Sequence, residues 1–148
     1  MEMHMITVTT SRVTGRAATV TAVVRILVGV LFVLASIPKF PFAGSAHDSE
    51  VAQFISFGFP ASSVEAFVLF TGTVELVCAA LLIAGFLTRF AAAGLAAVMI
   101  GAISTAGLHV GGPLHLGVAP TLLVILLVLV VVGAGSWSID QRLADRVR

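Results

Sequence analysis

Four apolar runs of about 20 residues, separated by short polar or glycine-rich stretches, make up most of this chain of 148 residues. An α-helix rises 1.5 Å per residue, so about 20 residues cross the roughly 30 Å hydrocarbon core of a bilayer. Only 10% of the residues are charged and 59% are hydrophobic, whereas about a quarter of a soluble domain is charged. We therefore predict an all-α integral membrane protein, a bundle of four transmembrane helices in up-down-up-down order.

The boundaries of this bundle follow from the polar, proline and glycine residues between the runs. We predict a polar N-terminal tail over 1–16, a transmembrane domain over 17–137, and an amphipathic C-terminal tail over 138–148. The mixed stretch 38–63 is predicted to be the one sizeable outer loop. The spans themselves are predicted at about 17–37, 64–86, 90–108 and 114–132.

The first run also has some features of a secretory signal, because Arg12 and Arg16 precede an apolar stretch. Signal peptides have an apolar region of about 7–15 residues followed by a small-x-small cleavage site. The run at 17–37 is longer than that and no clear cleavage site follows it. A membrane span is therefore the favoured interpretation.

Positive residues set the predicted orientation. Four spans place the two ends on one side, and six arginines share that side, whereas Lys39 lies among the opposite loops. The positive-inside rule then predicts a multi-pass protein of the cell membrane with both termini in the cytoplasm. The six are Arg12, Arg16, Arg89, Arg142, Arg146 and Arg148.

Two charges lie inside the predicted spans. A charge at the centre of a transmembrane helix costs about 2.5–3.5 kcal/mol even on the lenient insertion scale. Measured from the predicted inner ends of their helices, Arg25 lies about 12 Å deep and Glu75 about 17 Å deep. The long arginine side chain closes that difference, so we predict a buried ion pair between Arg25 and Glu75.

Two interpretations of this pair stay open. The pair either fixes which helix faces which, or it lines a polar pocket for a quinone or another small headgroup, with Glu75 as proton acceptor or ligand-binding group. Lys39 and Trp137 are predicted to anchor the helices at the two membrane interfaces.

The residues give little support for dithiol chemistry, nucleic-acid binding or metal binding. Cys78 is the only cysteine, so one copy of the chain cannot form an internal disulfide or a dithiol pair. The net charge of +1 offers no broad basic face for nucleic acid. His47, His109 and His115 show no recognised ligand spacing, so no metal site is predicted.

Several motifs in order along the chain resemble the DoxX family of small bacterial and archaeal membrane proteins. They include Arg25 with Leu27 and Gly29, Lys39, Glu75, and three segments: Phe57-Gly58-Phe59-Pro60, Gly85-Phe86-Leu87-Thr88-Arg89 and Gly133-Ala134-Gly135-Ser136-Trp137-Ser138-Ile139-Asp140. The resemblance covers about residues 24–143. One departure is Ile37, which stands where the family usually carries a glycine two residues ahead of the lysine.

The resemblance implies a four-helix bundle associated with redox physiology, since relatives include subunits of thiosulfate:quinone oxidoreductases and partners of oxidant-defence enzymes. The expected function is an accessory subunit of a membrane oxidoreductase or oxidative-stress complex, with a quinone-type pocket near Arg25 and Glu75. The chain is not expected to be an enzyme by itself. The alternative is a membrane scaffold, with a small-molecule transporter less favoured. The expected partners are the lipid bilayer, redox proteins and a further copy of the chain.

Overall fold

The computed structural model describes residues 11–109 and 111–146, and all regular structure in them is helical. Tight 3₁₀ turns at Ile37–Lys39 and Pro41–Ala43 join the first two helices, and wide π-helical turns occupy Ile103–Gly107 and Leu114–Val118. The α-helices, in chain order, are α1 (Gly15–Ser36), α2 (Ser45–Ser56), α3 (Val64–Ala84), α4 (Thr88–Ala102), α5 (Ala119–Val132) and α6 (Ile139–Arg146).

Three helical stretches are long and apolar enough to cross a membrane: Gly15–Lys39, Val64–Ala84 and Thr88–Gly107. A shorter apolar helix, Leu116–Val132, is the fourth. α1 packs chiefly on α3, α3 on α4, and α4 on α5. The fold prediction is confirmed: the chain forms an all-α membrane bundle of four helices.

Each long helix buries a narrow stripe of residues and exposes large apolar side chains on its other faces. The stripe of α1 recurs every three or four positions, as a helix packed along one side requires. Val20, Leu27 and Leu34 point outward and are more than 60% exposed, which suits contact with lipid. The stripe comprises Ala18, Ala22, Arg25, Val28, Gly29, Phe32 and Ser36.

The small residues of α4 divide between two faces. Ala92 and Ala96 are buried in the bundle. Small residues on one face of a helix allow a neighbouring helix to approach closely. Ala93, Ala97 and Gly101, which repeat at the same spacing, are exposed instead. Among the described residues, only one of the two small-residue stripes therefore packs within the bundle.

α1 and α3 are antiparallel but staggered along the bundle axis. Gly29 lies against the last turns of α3, where an added Cβ would come within 2.6 Å of Cγ1 of Ile83 and 3.0 Å of the carbonyl oxygen of Ala79. This register puts Arg25, one turn nearer the start of α1, level with the end of α3. At 1.5 Å per residue, each helix overhangs the other by about 15 Å.

Different segments cover the two overhangs. The free part of α1 is packed by the chain after α5: Ser136 donates its backbone N–H to the carbonyl oxygen of Ala18 at 3.0 Å. The free part of α3 is packed by the 3₁₀ turn Ile37–Lys39 and by α2, and the rings of Phe59 and Phe67 stack there with centroids 4.6 Å apart. The stagger thus creates two closed ends, which we name the inner end, around Arg25, and the outer end, around α2, after the predicted orientation. Arg25 lies at the inner end, and Glu75 lies where the overhang of α3 begins.

Candidate functional site

Arg25 lies at the inner end of α3, fully buried, and its guanidinium is surrounded by backbone carbonyl oxygens. Nε donates to Ala134 at 3.1 Å, and Nη1 donates to Ile83 at 2.9 Å and to Leu82. Nη2 donates to Trp137 at 3.3 Å. Leu82 and Ile83 belong to the last turn of α3, whose carbonyls have no partner within the helix. One side chain therefore closes the end of α3 and ties it to the segment after α5.

Asp140 is the second buried polar group at this end. It is 2% exposed, and its two carboxylate oxygens accept the backbone N–H groups of Leu87 at 2.8 Å and Thr88 at 3.0 Å. These groups open α4, whose first N–H groups have no partner within the helix. The backbone N–H of Asp140 in turn donates to the carbonyl of Gly85 at 2.9 Å. A residue near the C-terminus thus caps the third membrane helix.

The backbone of the link between α3 and α4 depends on these contacts. Gly85 and Leu87 both have left-handed conformations, with φ of 66° and 48°. That conformation costs a residue other than glycine about 1–3 kcal/mol and persists only where the surroundings enforce it. At Gly85 a side chain is also excluded, because an added Cβ would lie 2.6 Å from the Cβ of Ser138.

Glu75 lies near the middle of α3, 4% exposed, and pairs with Lys39. The Nζ atom of Lys39 is 3.1 Å from Oε2 of Glu75 and donates to the carbonyl oxygen of Ala35, also at 3.1 Å. Gly72 makes room for this approach, since an added Cβ there would be 2.6 Å from the Cβ of Lys39. The start of the outer loop therefore reaches down to the centre of α3.

α2 carries two further polar residues that are at least partly buried, Glu50 and His47. The Glu50 carboxylate repels that of Glu75 electrostatically. His47 is 6% exposed, and its Nδ1 atom has no hydrogen-bond partner among the described residues. Lys39, Glu50 and Glu75 therefore bring one cation and two carboxylates close together.

The predicted ion pair between Arg25 and Glu75 is not formed, although both side chains lie in the described part of the chain. The depth estimate assumed that the inner ends of α1 and α3 are level. With Gly29 opposite Ile83, Glu75 lies about ten residues of α3, or about 15 Å, outward from Arg25. Arg25 donates to backbone carbonyls and Glu75 pairs with Lys39, so neither charged group has the partner that was predicted for it.

The predicted interface anchors have different positions. Lys39 is largely buried, with its side chain 12% exposed in the pair with Glu75. Trp137 is 67% exposed and has a left-handed backbone, with φ of 54°. Its carbonyl accepts a hydrogen bond from Arg25 while its indole lies on the surface. Of the predicted anchors, only Trp137 presents its side chain outward.

Two surface grooves of the described chain lie away from both buried groups. One, of about 290 Å³, runs between α2 and the start of α3 and is lined by His47, Asp48, Val51, Ala52, Ile55 and Glu65. The other, of about 400 Å³, lies on the apolar face of α5. Neither groove is lined by Arg25, Lys39 or Glu75. Within 11–109 and 111–146, no three His, Cys, Asp or Glu side chains are grouped closely enough to hold a metal ion.

The comparison with known proteins identifies the family of this chain. The model of the DoxX family matches residues 20–110, which carry Arg25, Lys39 and Glu75. The chain belongs to the DoxX family. It is also 36% identical over 138 residues to an uncharacterized membrane protein of Mycobacterium tuberculosis, a match that covers 83% of this chain and 80% of that protein. No solved structure matches.

The structure gives physical roles to the motifs that carried the resemblance to the DoxX family. Gly85 to Arg89 and Gly133 to Asp140 meet around Arg25 and build the closed inner end. Sequence reasoning missed Asp140 as a buried cap. The available signal was its place in the second of these segments, but its two N–H partners lie more than 50 residues away in the chain.

Replacing Asp140 in this DoxX protein should weaken the start of α4. Asp140→Ala removes both acceptors from Leu87 and Thr88, and loss of a helix cap costs about 0.5–2 kcal/mol. We expect the upper part of that range, because the strained backbone of Leu87 also loses its partner. The measurement is equilibrium unfolding in mild detergent. Asp145→Ala on the exposed side of α6 is the matched control, and an equal effect there would contradict the assigned role.

Proposed function

We propose that this DoxX protein is an accessory subunit of a membrane oxidoreductase or oxidant-defence complex, and that a small headgroup such as a quinone engages the pair formed by Lys39 and Glu75. One observation carries the proposal: an ammonium and a carboxylate lie 3.1 Å apart at the middle of a membrane helix. Charged groups inside a bilayer are costly, and they commonly mark ligand, ion or proton pathways.

The chemistry of Lys39 suits a carbonyl headgroup. A lysine ammonium has three N–H donors; that of Lys39 donates to Ala35 and forms an ion pair with Glu75. A headgroup carbonyl can accept a further hydrogen bond from this ammonium. Oε2 of Glu75, which accepts no hydrogen bond among the described residues, can accept one from a hydroxyl group. A quinone, when bound, would supply the electron-accepting chemistry, whereas the role of this chain is to hold the headgroup and exchange a proton at Glu75.

Arg25 is not part of the proposed headgroup site. Its guanidinium has five N–H donors and binds four carbonyl oxygens. A side chain that donates to four backbone carbonyls favours a purely structural role at the inner end. This observation supports the second candidate function, a non-catalytic membrane scaffold in which the pair of Lys39 and Glu75 also only fixes the fold.

Exchange of the two charges distinguishes these candidates. Glu75→Gln should abolish copurified quinone and lower the resistance of cells to peroxide and thiol oxidants. Glu65→Gln, the same chemical change at an exposed position of α3, should affect neither. The double variant Lys39→Glu with Glu75→Lys keeps an ion pair, so the amount of folded protein should be close to that of the wild type under either candidate function. Oxidant resistance returns with it only if the protein is a scaffold.

Quinone in the purified protein is measured by extraction and mass spectrometry, and partners by mild pull-down. Absence of quinone from the wild-type protein, together with unchanged oxidant resistance in Glu75→Gln, would reject the headgroup site. Recovery of redox enzymes in the pull-down would still support the accessory role. Failure to recover any redox protein would reject that role as well.

We also propose that both ends of the chain face the cytoplasm and that the protein resides in the cell membrane. The support is the common location of Arg12, Arg16, Arg89 and Arg142 at one end of the bundle, together with the positive-inside rule. A reporter fused after Arg148 should be active only on the cytoplasmic side, and one inserted at Gly44 only on the outer side. Activity of both reporters on the same side would overturn this topology.

A further inference from the structure

The inner end of the bundle carries two arginines that lie close together. The backbone N–H of Arg12 donates to the carbonyl oxygen of Val132 at 2.9 Å, which fixes this residue beside the end of α5. Arg89 lies in the first turn of α4, the helix that packs on α5 in the opposite direction. Arg12 and Arg89 are near enough to repel each other electrostatically. Arg12 is exposed and Arg89 is half-buried.

Positive charge exceeds negative charge at this end. Asp140, which is 2% exposed, attracts Arg89 electrostatically. Asp145 is exposed on α6. Against these two acidic residues stand four described arginines besides the buried Arg25: Arg12, Arg16, Arg89 and Arg142. The surface therefore has the charge to attract an anion.

The same end also exposes apolar side chains. Trp137 is 67% exposed, and on α6 Ile139 is 41% and Leu143 is 38% exposed. Indole rings are favoured at the level of the lipid headgroups, and an amphipathic helix with exposed apolar residues lies in that layer. A partner with an anionic head and an apolar body matches both features, whereas a free anion matches only the first.

We propose that Arg12 and Arg89 bind the phosphate of an anionic phospholipid, with Trp137 and the apolar face of α6 against its glycerol and upper acyl chains. Guanidinium groups suit this task because their planar N–H donors bind phosphate oxygens in pairs. Phosphate between Arg12 and Arg89 replaces their mutual repulsion by two attractions. The bound lipid then joins the N-terminal segment to the start of α4.

Native mass spectrometry of the full chain tests the proposal. The protein in neutral detergent is mixed with equal amounts of phosphatidylglycerol and phosphatidylcholine that have the same acyl chains. We expect adducts of phosphatidylglycerol to predominate and to fall roughly tenfold in Arg12→Gln with Arg89→Gln. Arg142→Gln, which removes one arginine from the same end outside the pair, should retain most of them.

Several outcomes would overturn the assignment. They are equal binding of the two lipids, unchanged phosphatidylglycerol in the double variant, or an equal loss in Arg142→Gln. Displacement of the lipid by millimolar inorganic phosphate would show a site for the free anion instead. If the double variant does not fold, as judged by its thermal transition in neutral detergent, Arg12→Gln alone decides, since its side chain is exposed and a severalfold loss is still expected.

Discussion

Arg25→Met should destabilise this protein more than any other single substitution in the bundle. The change keeps a long side chain but removes every donor to Leu82, Ile83, Ala134 and Trp137. Each hydrogen bond to a charged group contributes about 1.5–3 kcal/mol, and a buried acceptor left without a partner is costly. We expect a loss of at least about 3–5 kcal/mol, enough to unfold many proteins of ordinary stability.

Trp137 offers a direct measurement of this loss. It is the only tryptophan of the chain, and its carbonyl is held by Arg25, so its fluorescence should report the release of the closed inner end. Arg25→Lys should fall between wild type and Arg25→Met, because an ammonium has three donors for four acceptors. Arg142→Met is the exposed control. An Arg25→Met variant as stable as that control would refute the role of Arg25.

The charges of the spans were visible in the sequence, but their partners were not. Periodicity and length determine which residues lie in helices, and the cost of a charge in lipid identifies Arg25 and Glu75 as groups that need neutralisation. Neither argument measures the stagger of two antiparallel helices. That stagger depends on where small residues permit close approach, and the contact of Gly29 with Ile83 shifts α1 by about three turns.

The two closed ends illustrate a second limit of sequence reasoning. An arginine in a membrane span suggests a carboxylate partner, yet the end of a helix offers up to four carbonyl oxygens without intrahelical partners. Arg25 uses two of these, on Leu82 and Ile83. Asp140 likewise accepts N–H groups at the N-terminal end of α4, where the first N–H groups have no intrahelical partner. Which helix end a buried charged side chain reaches depends on how the helices pack, so it cannot be read from the sequence of one helix.

Lys39→Met should have the second largest effect on stability, by leaving the carboxylate of Glu75 buried without its cation. Removing one partner of a buried ion pair typically costs about 3–5 kcal/mol. The remaining electrostatic contact with Glu50 is repulsive, so no nearby described group replaces the lysine. The free energy of unfolding in detergent gives the value, and the amount of folded protein in the membrane should fall in parallel.

Combining Lys39→Met with Glu75→Gln separates the charge from the packing. Two uncharged side chains of similar size need no neutralisation in the bundle, and replacement of a buried pair by uncharged groups is often neutral or stabilising. The double variant should therefore regain most of the stability that Lys39→Met loses, which gives a coupling of several kcal/mol in the double-mutant cycle. If the two losses simply add, Lys39 does not neutralise Glu75, and the outer loop must enter the bundle for another reason, such as the packing of Phe40 beside Gly72. If the double variant folds but oxidant resistance stays low, the pair has a role beyond stability, as the proposed binding of a headgroup requires.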